Sequence, residues 1–243
     1  MTPADGVALL VSRAGLGSVE SDRPVASASM NTPMPDDVFW VVVIPAKPLA
    51  TAKSRLSDAA GGLRPQLAVA MLLDTVEAAL RARGVVAVLV VTDDETIAAA
   101  TSELGAVVVP DEPGEGLNGA FRHGIEAATA RHPGAGVALL MGDLPAMRTI
   151  ELEAALFVSA STPGVTAVAD RDGVGTTMLA SVAPPQLEPS FGTESFARHR
   201  ALGARALEHG ALDGLRCDVD DVEGLTASLL LGLGTRTAAL LRR

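Results

Sequence analysis

The chain has 243 residues, which corresponds to one domain or to one domain with an added tail. It carries 29 acidic and 19 basic side chains, and the formal net charge of -10 argues against a general binder of nucleic acids or anionic membranes, because both need a positive field. Aromatic residues make up only 2%, with no Tyr, which argues against stacking platforms for single-stranded nucleic acids. The single cysteine, Cys217, excludes a disulfide framework and a cysteine-rich zinc site, and it favours a cytoplasmic protein.

Residues 1–37 differ in composition from the rest of the chain. They are rich in Ser, Pro, Ala, Asp and Gly and show no sustained periodicity, so we expect a disordered tail before a single domain over 38–243. The short apolar run Val7–Val11 is too brief for the core of a signal peptide. Met30 or Met34 is an alternative start of translation. No stretch approaches the roughly 18 apolar residues of a membrane span.

From Val38 onward, apolar runs alternate with segments of helical spacing. Continuous β-branched runs of this kind are typical of strands that are buried on both faces. The predicted strands are Val38–Ile44, Val85–Val91, Ala106–Val109, Val137–Met141, Val165–Ala169, Thr176–Val182 and Leu215–Val219. The first predicted helix begins at Pro65 and is closed by Gly84. The other predicted helices are Glu95–Leu104, Leu117–Arg131, Thr149–Ala160, Ser195–Glu208 and Glu223–Leu241.

This alternation predicts a single-domain α/β fold with a mainly parallel sheet flanked by helices. In such sheets, ligands bind at the carboxyl ends of the strands. Polar residues recur at these points, with Lys47 and Lys53 after the first strand, Asp93 after the second, Asp111 after the third and Asp143 after the fourth. The pattern therefore indicates a ligand site along this edge.

The loop after the first strand reads I-P-A-K-P-L-A-T-A-K-S-R-L and carries a local excess of positive charge. It matches neither a Walker A loop nor a dinucleotide-binding turn. Lys47, Lys53 and Arg55 at the mouth of a buried strand would suit a polyphosphate, with lysine as a point charge and arginine as a fork for two oxygens. The alternative is a solvated basic surface loop.

Three acidic residues are candidate metal ligands. Asp143 lies in M-G-D-L-P at the end of an apolar strand, where a carboxylate can hold Mg²⁺, which favours one or two carboxylates together with phosphate oxygens and water. Asp218 and Asp220 would share one face of the last predicted strand, with Asp221 as a substitute if the register slips. The alternatives are a capping role for Asp143 and a solvent-facing polar strand end for the other two.

Small residues mark three loops that could present backbone amides to an anion. Asn118 lies in G-L-N-G at a helix start, and Gly192 and Ser195 lie in F-G-T-E-S directly before another helix. The third loop is G-V-G-T-T, Gly173–Thr177. Ordinary turns and N-caps are the alternative for all of them.

The remaining titratable residues give no sign of a site. The histidines show no ligand spacing and are assigned to solvated helix faces: His123, His132, His199 and His209. Cys217 is expected to be a buried small apolar residue.

The motifs together resemble one family, the guanylyltransferases of coenzyme F-420 biosynthesis. The resemblance runs from Phe39 to the C-terminus and rests on the ordered set I-P-A-K-P-L, A-K-S-R-L, A-M-L-L-D-T, V-V-T-D-D, D-E-P-G-E-G-L-N-G-A, M-G-D-L-P, G-T-T, F-G-T-E-S-F and L-R-C-D-V-D-D-V-E-G-L. The archaeal type acts on 2-phospho-L-lactate and the actinobacterial type on phosphoenolpyruvate. A composition heavy in Ala, Gly, Val and Leu favours the actinobacterial type.

The resemblance implies a MobA-like nucleotidyltransferase fold and the transfer of GMP from GTP to the substrate phosphate, with release of diphosphate. It implies roles for four groups of residues: Lys47, Lys53 and Arg55 at the GTP phosphates; Asp143, Asp218 and Asp220 as Mg²⁺ ligands; Thr177, Gly192 and Ser195 as the phosphoenolpyruvate site; and Asp93 and Asn118 along the nucleotide.

Other functions stay open from the sequence alone. Within the same fold, the chain could be a 2-phospho-L-lactate guanylyltransferase or another MobA-like nucleotidyltransferase. Outside enzymes, it could be a nucleotide-sensing module without turnover, although the acid pair Asp218 and Asp220 beside a polyanion argues against mere binding. Neither the base selectivity nor the oligomeric state follows from the sequence, and a homo-oligomer is possible.

Overall fold

A seven-stranded sheet forms the centre of the protein. The structure is a computed structural model that describes residues 38–46, 63–111, 115–207 and 210–242, so the expected tail over 1–37 lies outside the described residues. The strands are β1 (Trp40–Pro45), β2 (Val85–Val91), β3 (Val107–Val109), β4 (Gly136–Leu140), β5 (Thr166–Ala169), β6 (Thr176–Ser181) and β7 (Arg205–Ala206).

Seven α-helices connect and cover these strands within the described ranges. They are α1 (Arg64–Leu80), α2 (Glu95–Glu103), α3 (Gly116–Arg131), α4 (Thr149–Ser161), α5 (Ser195–Ala201), α6 (Val222–Leu231) and α7 (Thr235–Leu241). Among them, none is by itself long and apolar enough to cross a membrane; α6 and α7 meet the length and composition only as a pair, and they are bent by 116° at their junction.

The strand order is β3-β2-β1-β4-β6-β5-β7. The pairs β1–β2, β1–β4, β2–β3 and β5–β7 are parallel, whereas β6 is antiparallel to both β4 and β5. The predicted α/β fold with a mainly parallel sheet is therefore confirmed, with one reversed strand. Because β6 is reversed, its first residues lie at the same edge as the carboxyl ends of β4 and β5.

The core consists of two apolar layers, one on each face of the sheet. Side chains of β1 alternate between them: Val42 and Ile44 pack in the layer that includes Leu72 and Val76 of α1. Val41 and Val43 pack in the opposite layer with side chains of α3. This period-two alternation with both faces buried is the reason that the strand reads as a continuous apolar run.

Two sequence-based predictions at the C-terminal end were wrong. Leu215–Val219 does not form a strand but a turn followed by irregular backbone. The helix predicted over Ser195–Glu208 ends at Ala201, because Gly203 turns the chain with a positive φ of 94° and directs it into β7.

The predicted helix over Glu223–Leu241 was also wrong as a single element. It consists of α6 and α7, separated by a break at 232–234. Gly232 has φ 99°, a left-handed conformation that ends a helix at little cost only for glycine. Gly234 lies so close to the Asp74 side chain that an added Cβ would be 2.3 Å from its Cγ.

Candidate active site

Several predicted site residues lie at strand ends along one edge of the sheet. Asp93 follows β2 and Asp143 follows β4, both at carboxyl ends of parallel strands. Thr177 is near the start of the reversed strand β6. Asp170, which was not predicted as a site residue, follows β5 at the same edge. This edge is where ligands bind in open α/β sheets.

Hydrogen bonds from three separate parts of the chain hold the loop around Asp143. Thr75 of α1 accepts a hydrogen bond from the Leu144 N–H at 3.1 Å. The Pro145 carbonyl accepts one from the Gly234 N–H at 2.7 Å, and the Asp143 carbonyl accepts one from the Val219 N–H at 3.0 Å. The last contact places the backbone beside Asp218 and Asp220 against the Asp143 loop.

The irregular segment that carries Asp218 is anchored at two further points. The Arg216 guanidinium donates to the carbonyls of Ala169 and Asp170 at the end of β5, at 3.2 and 2.9 Å. The Gly214 N–H donates to the buried carboxylate of Glu151 at 3.0 Å. Side-chain anchors therefore replace the strand pairing that the sequence predicted for this segment.

Three carboxylates interact electrostatically with Asp218. Burial, and then the charges of Asp143, Asp220 and Asp170, raise the pKa of Asp218 to about 7. Asp143 is itself buried. The structure thus brings the three predicted metal ligands into one electrostatic group, although not on a common strand face. Asp221 has a different role, because its carboxylate accepts the Gly224 N–H as the N-cap of α6.

We tested this group of carboxylates as a Mg²⁺ site. Across the described ranges, no set of three or more Asp, Glu, His or Cys side chains is gathered closely enough to form a complete protein cage for a metal. Mg²⁺ does not need such a cage, since it commonly binds one or two carboxylates together with phosphate oxygens and water. The pKa of Asp218 is raised first by burial and then by the charges of the neighbouring carboxylates, and hard oxygen donors in such a setting suit this kind of site.

A loop between β6 and α5 carries the predicted anion-binding residues Gly192 and Ser195. Gly192 has φ 119°, and Glu194 is the one non-glycine residue of the described chain with a positive φ, 54°. The Ser195 N–H donates to the Gly192 carbonyl at 3.0 Å. The Ser195 hydroxyl is buried and donates to Thr176 Oγ1 at 3.3 Å. The loop is therefore tightly turned and joined to the first residue of β6.

Thr177, the next residue of β6, has a hydroxyl with no hydrogen bond within the described part of the chain. Its side chain is fully buried, and Oγ1 has no partner among the residues that the structure describes. Its carbonyl accepts the Met141 N–H at 2.9 Å, two residues before Asp143. Buried hydroxyls are nearly always paired, so an unpaired one beside the candidate site is suited to a ligand.

The predicted nucleotide residue Asn118 connects α3 to this loop. Its amide oxygen accepts the Phe191 N–H at 2.7 Å, and its Nδ2 donates to the Phe191 carbonyl at 3.1 Å. The Phe191 ring stacks on Phe121 of the same helix at a centroid distance of 4.3 Å. The Asn118 side chain therefore fixes the backbone directly before Gly192.

Asp93 lies apart from these residues, with Asp111 as its neighbour. Its Oδ1 accepts the Asp111 N–H at 2.8 Å. Burial and the charge of Asp93 raise the pKa of Asp111, and His123 offsets part of this effect. The structure thus places a second pair of acids at the ends of β2 and β3.

His199 of α5 corrects a sequence-based assignment. It was expected on a solvated helix face, but it is only 1% exposed. Its Nδ1 lies 2.9 Å from Thr176 Oγ1, and its Nε2 accepts the Ser190 N–H at 2.9 Å. Burial, with the charge of Arg198, lowers the pKa of His199 to about 4, so the ring is neutral. Neither Thr176 nor His199 was singled out from the sequence, because their partners lie 23 and 9 residues away.

The predicted phosphate-binding residues Lys47, Lys53 and Arg55 lie outside the described residues. Their role stays a prediction.

Comparisons with known proteins extend this picture. The sequence profile described as "Guanylyl transferase CofC like" matches residues 40–243, which include every proposed site residue. A phosphoenolpyruvate guanylyltransferase of Thermomonospora curvata is 51% identical over 207 residues, covering 85% of this chain and 90% of the relative. One of Streptomyces coelicolor is 50% identical over 206 residues, covering 84% and 96%.

A solved structure supports the fold. That of 4-diphosphocytidyl-2C-methyl-D-erythritol synthase superimposes with a TM-score of 0.56 at 10% identity, covering 80% of this chain and 99% of the other. At this identity, the similarity establishes a shared α/β fold and nothing more. The profile match and the two close relatives establish more: the chain belongs to the CofC-like guanylyltransferase family.

Proposed function

We propose that this chain transfers the GMP unit of GTP to the phosphate of phosphoenolpyruvate, forming enolpyruvyl-diphospho-guanosine and diphosphate, in coenzyme F-420 biosynthesis. The observation that carries the proposal is the identity of about half of all residues to relatives named phosphoenolpyruvate guanylyltransferase over most of both chains. In the reaction, a phosphate oxygen of phosphoenolpyruvate attacks the α-phosphorus of GTP. The bond from the α-phosphorus to the bridging oxygen breaks, and diphosphate leaves with that oxygen.

The attacking oxygen is already anionic, so the mechanism needs no general base. The obstacle is repulsion between two polyanions. In the proposal, one or two carboxylates from the group Asp143, Asp218 and Asp220 would hold Mg²⁺ together with phosphate oxygens and water. The ion would screen this repulsion and stabilise charge on the leaving diphosphate. Burial, and then the charges of neighbouring carboxylates, raise the pKa of Asp218, which supports this assignment because a cation bound among these groups would offset their repulsion.

The cationic loop completes the phosphate site in this proposal. Lys47, Lys53 and Arg55 would face the phosphates of GTP, with the arginine able to hold two oxygens at once. They follow β1, whose carboxyl end lies beside that of β4 in the sheet. Their place in the strand order supports the assignment, since β4 carries the Asp143 loop.

Phosphoenolpyruvate would bind at Thr177, Gly192 and Ser195. Thr177 Oγ1 is buried and has no partner among the described residues, so it is available to donate to an anionic oxygen. The Ser195 N–H donates to the Gly192 carbonyl, so the loop folds back on itself at this point. Two hydroxyls and a turned backbone are suited to a carboxylate or phosphate.

The nucleotide would lie along Asp93 and the start of α3 at Asn118. The Asn118 side chain already makes hydrogen bonds with both the N–H and the carbonyl of Phe191. We therefore assign it a positioning role between the nucleotide and the phosphoenolpyruvate loop. We also retain the cytoplasm as the expected compartment, and a homo-oligomer is possible.

A substrate panel tests the proposal. Purified protein is incubated with Mg²⁺, each of the four common nucleoside triphosphates, and either phosphoenolpyruvate or 2-phospho-L-lactate, and diphosphate release is measured. We expect release with GTP and phosphoenolpyruvate. A clear preference for 2-phospho-L-lactate or for another triphosphate would replace this substrate assignment, and binding of GTP without any diphosphate release would indicate a nucleotide sensor.

A further inference from the structure

We propose that His199 is a positioning residue that orients the hydroxyl of Ser195 toward the phosphoenolpyruvate anion through Thr176. This inference rests on the proposed function, because it assigns a role within the same site. It concerns the row Ser190, His199, Thr176 and Ser195, in which the last three side chains are buried and Ser190 belongs to the loop between β6 and α5.

The tautomer of His199 follows from its partners. Nε2 lies 2.9 Å from the backbone nitrogen of Ser190, and a backbone N–H can only donate. Nε2 is therefore the unprotonated acceptor, and in the neutral ring the hydrogen is carried by Nδ1. Nδ1 then donates to Thr176 Oγ1, 2.9 Å away.

This direction decides what Ser195 can do. Thr176 Oγ1 accepts from His199, so its own hydrogen is free to turn toward Ser195 Oγ, 3.3 Å away. The Ser195 hydroxyl, which donates to Thr176 when no anion is present, can then release that contact and donate to the substrate. If Nδ1 were an acceptor, the single hydroxyl hydrogen of Thr176 would go to it, and Ser195 could keep its contact with Thr176 only by donating its own hydrogen.

His199 also fixes the loop that leads to Gly192. It binds the N–H of Ser190, and Asn118 binds both backbone groups of Phe191, the next residue. The Phe191 ring meets the His199 ring edge-on at a centroid distance of 4.9 Å. Two consecutive backbone positions are thus held from α5 and α3, which sets the direction in which Gly192 and Ser195 enter the site.

Three substitutions separate this role from simple core packing. His199→Leu removes both polar contacts and keeps an apolar side chain. His199→Asn keeps an N–H donor near the position of Nδ1, and Thr176→Val removes the hydroxyl between His199 and Ser195 without changing the side-chain shape. His132→Asn is the matched control, since His132 is the C-cap of α3, at the opposite end of that helix from Asn118.

Steady-state kinetics with each substrate is the readout. We expect His199→Leu and Thr176→Val to raise the KM for phosphoenolpyruvate about 10- to 100-fold, the size of one lost hydrogen bond to an anion, and to leave the KM for GTP within about twofold. His199→Asn should recover much of the loss, and the double variant His199→Leu/Thr176→Val should be no worse than either single one, because the two act in series.

The inference fails if folded His199→Leu binds phosphoenolpyruvate as the wild type does, if both KM values rise together, or if the two substitutions add. If His199→Leu does not fold, Thr176→Val and His199→Asn still decide. The failure of the proposed function is a separate result: it requires that the wild-type protein itself neither binds phosphoenolpyruvate in calorimetry nor transfers GMP to it.

Discussion

Replacing Asp218 with Asn should stabilise the metal-free protein at neutral and alkaline pH. Burial and three neighbouring carboxylates raise the pKa of Asp218 from 3.8 to about 7. Since each pKa unit corresponds to about 1.4 kcal/mol, the charge costs at most about 4 kcal/mol of folding free energy. The side chain keeps some contact with solvent, which screens the repulsion, so we expect a gain of about 1–3 kcal/mol in the variant.

The gain should depend on pH in a defined direction. Between about pH 4 and pH 7, the folded protein keeps a proton on Asp218 that the unfolded chain has lost, so this group makes the free energy of unfolding fall as the pH rises. Above about pH 7, both states are ionised and the full cost is present. The advantage of Asp218→Asn therefore grows from almost nothing near pH 4 to its maximum above pH 7.

Thermal unfolding with a chelator, over about pH 5 to pH 8.5, measures this effect. For a chain of this size, about 1 kcal/mol corresponds to a change in Tm of roughly 2–4 °C. Asp213→Asn, an exposed position on the same segment, is the control and should change little. A variant that is less stable than wild type at pH 8, or a difference that does not vary with pH, would refute the assignment of a crowded carboxylate. Mg²⁺ with GTP should stabilise the wild type and have little effect on the variant.

Three further substitutions test the surroundings of the site. Thr177→Val should leave the free energy of unfolding unchanged or raise it by about 1 kcal/mol, because the hydroxyl has no protein partner in the described chain. The same substitution should raise the KM for phosphoenolpyruvate. Equal losses of stability and of binding would count against a ligand role. Asn118→Ala should cost about 1–3 kcal/mol in chemical denaturation by leaving both backbone groups of Phe191 unpaired, and an unchanged midpoint would contradict this. Gly214→Ala should destabilise by a similar amount, because its Cβ would lie 2.2 Å from the Ala146 carbonyl; a wild-type Tm would show that the segment can shift.

The sequence predicted the central sheet well, because that part of the fold is encoded locally. The strand Val85–Val91 has the predicted bounds, since a continuous β-branched run between turn residues leaves few alternatives. The candidate site residues at the ends of these strands could be predicted from the sequence for the same reason. Their position at one edge follows from the parallel connections and needs no knowledge of individual contacts.

The errors arise where distant contacts decide the local structure. The apolar spacing of Leu215–Val219 is not enough to make a strand, because the segment is held instead by Arg216 and by the Gly214 contact with Glu151, a residue 63 positions away. The length of the last helices was misjudged because the break at Gly232 and Gly234 lies between two runs of good helix formers, residues 229–231 and 238–241.

The buried role of His199 could not be read from its neighbours in sequence. It lies between Arg198 and Arg200, which suggests a solvated face. Only the close packing of α5 against β5, together with the Ser190 and Thr176 contacts, turns it inward. The bond between Asn118 and Phe191, 73 positions apart, is of the same kind, and it would become visible in sequence only through covariation of the two segments.

Isotope tracing of the reaction product tests the central claim most directly. Phosphoenolpyruvate labelled with ¹⁸O at the free phosphate oxygens is incubated with the protein, GTP and Mg²⁺, and the products are analysed by mass spectrometry. The proposal predicts enolpyruvyl-diphospho-guanosine that retains all of the label, together with unlabelled diphosphate. The absence of this product, or label in the diphosphate, would contradict the transfer of GMP to the phosphate of phosphoenolpyruvate.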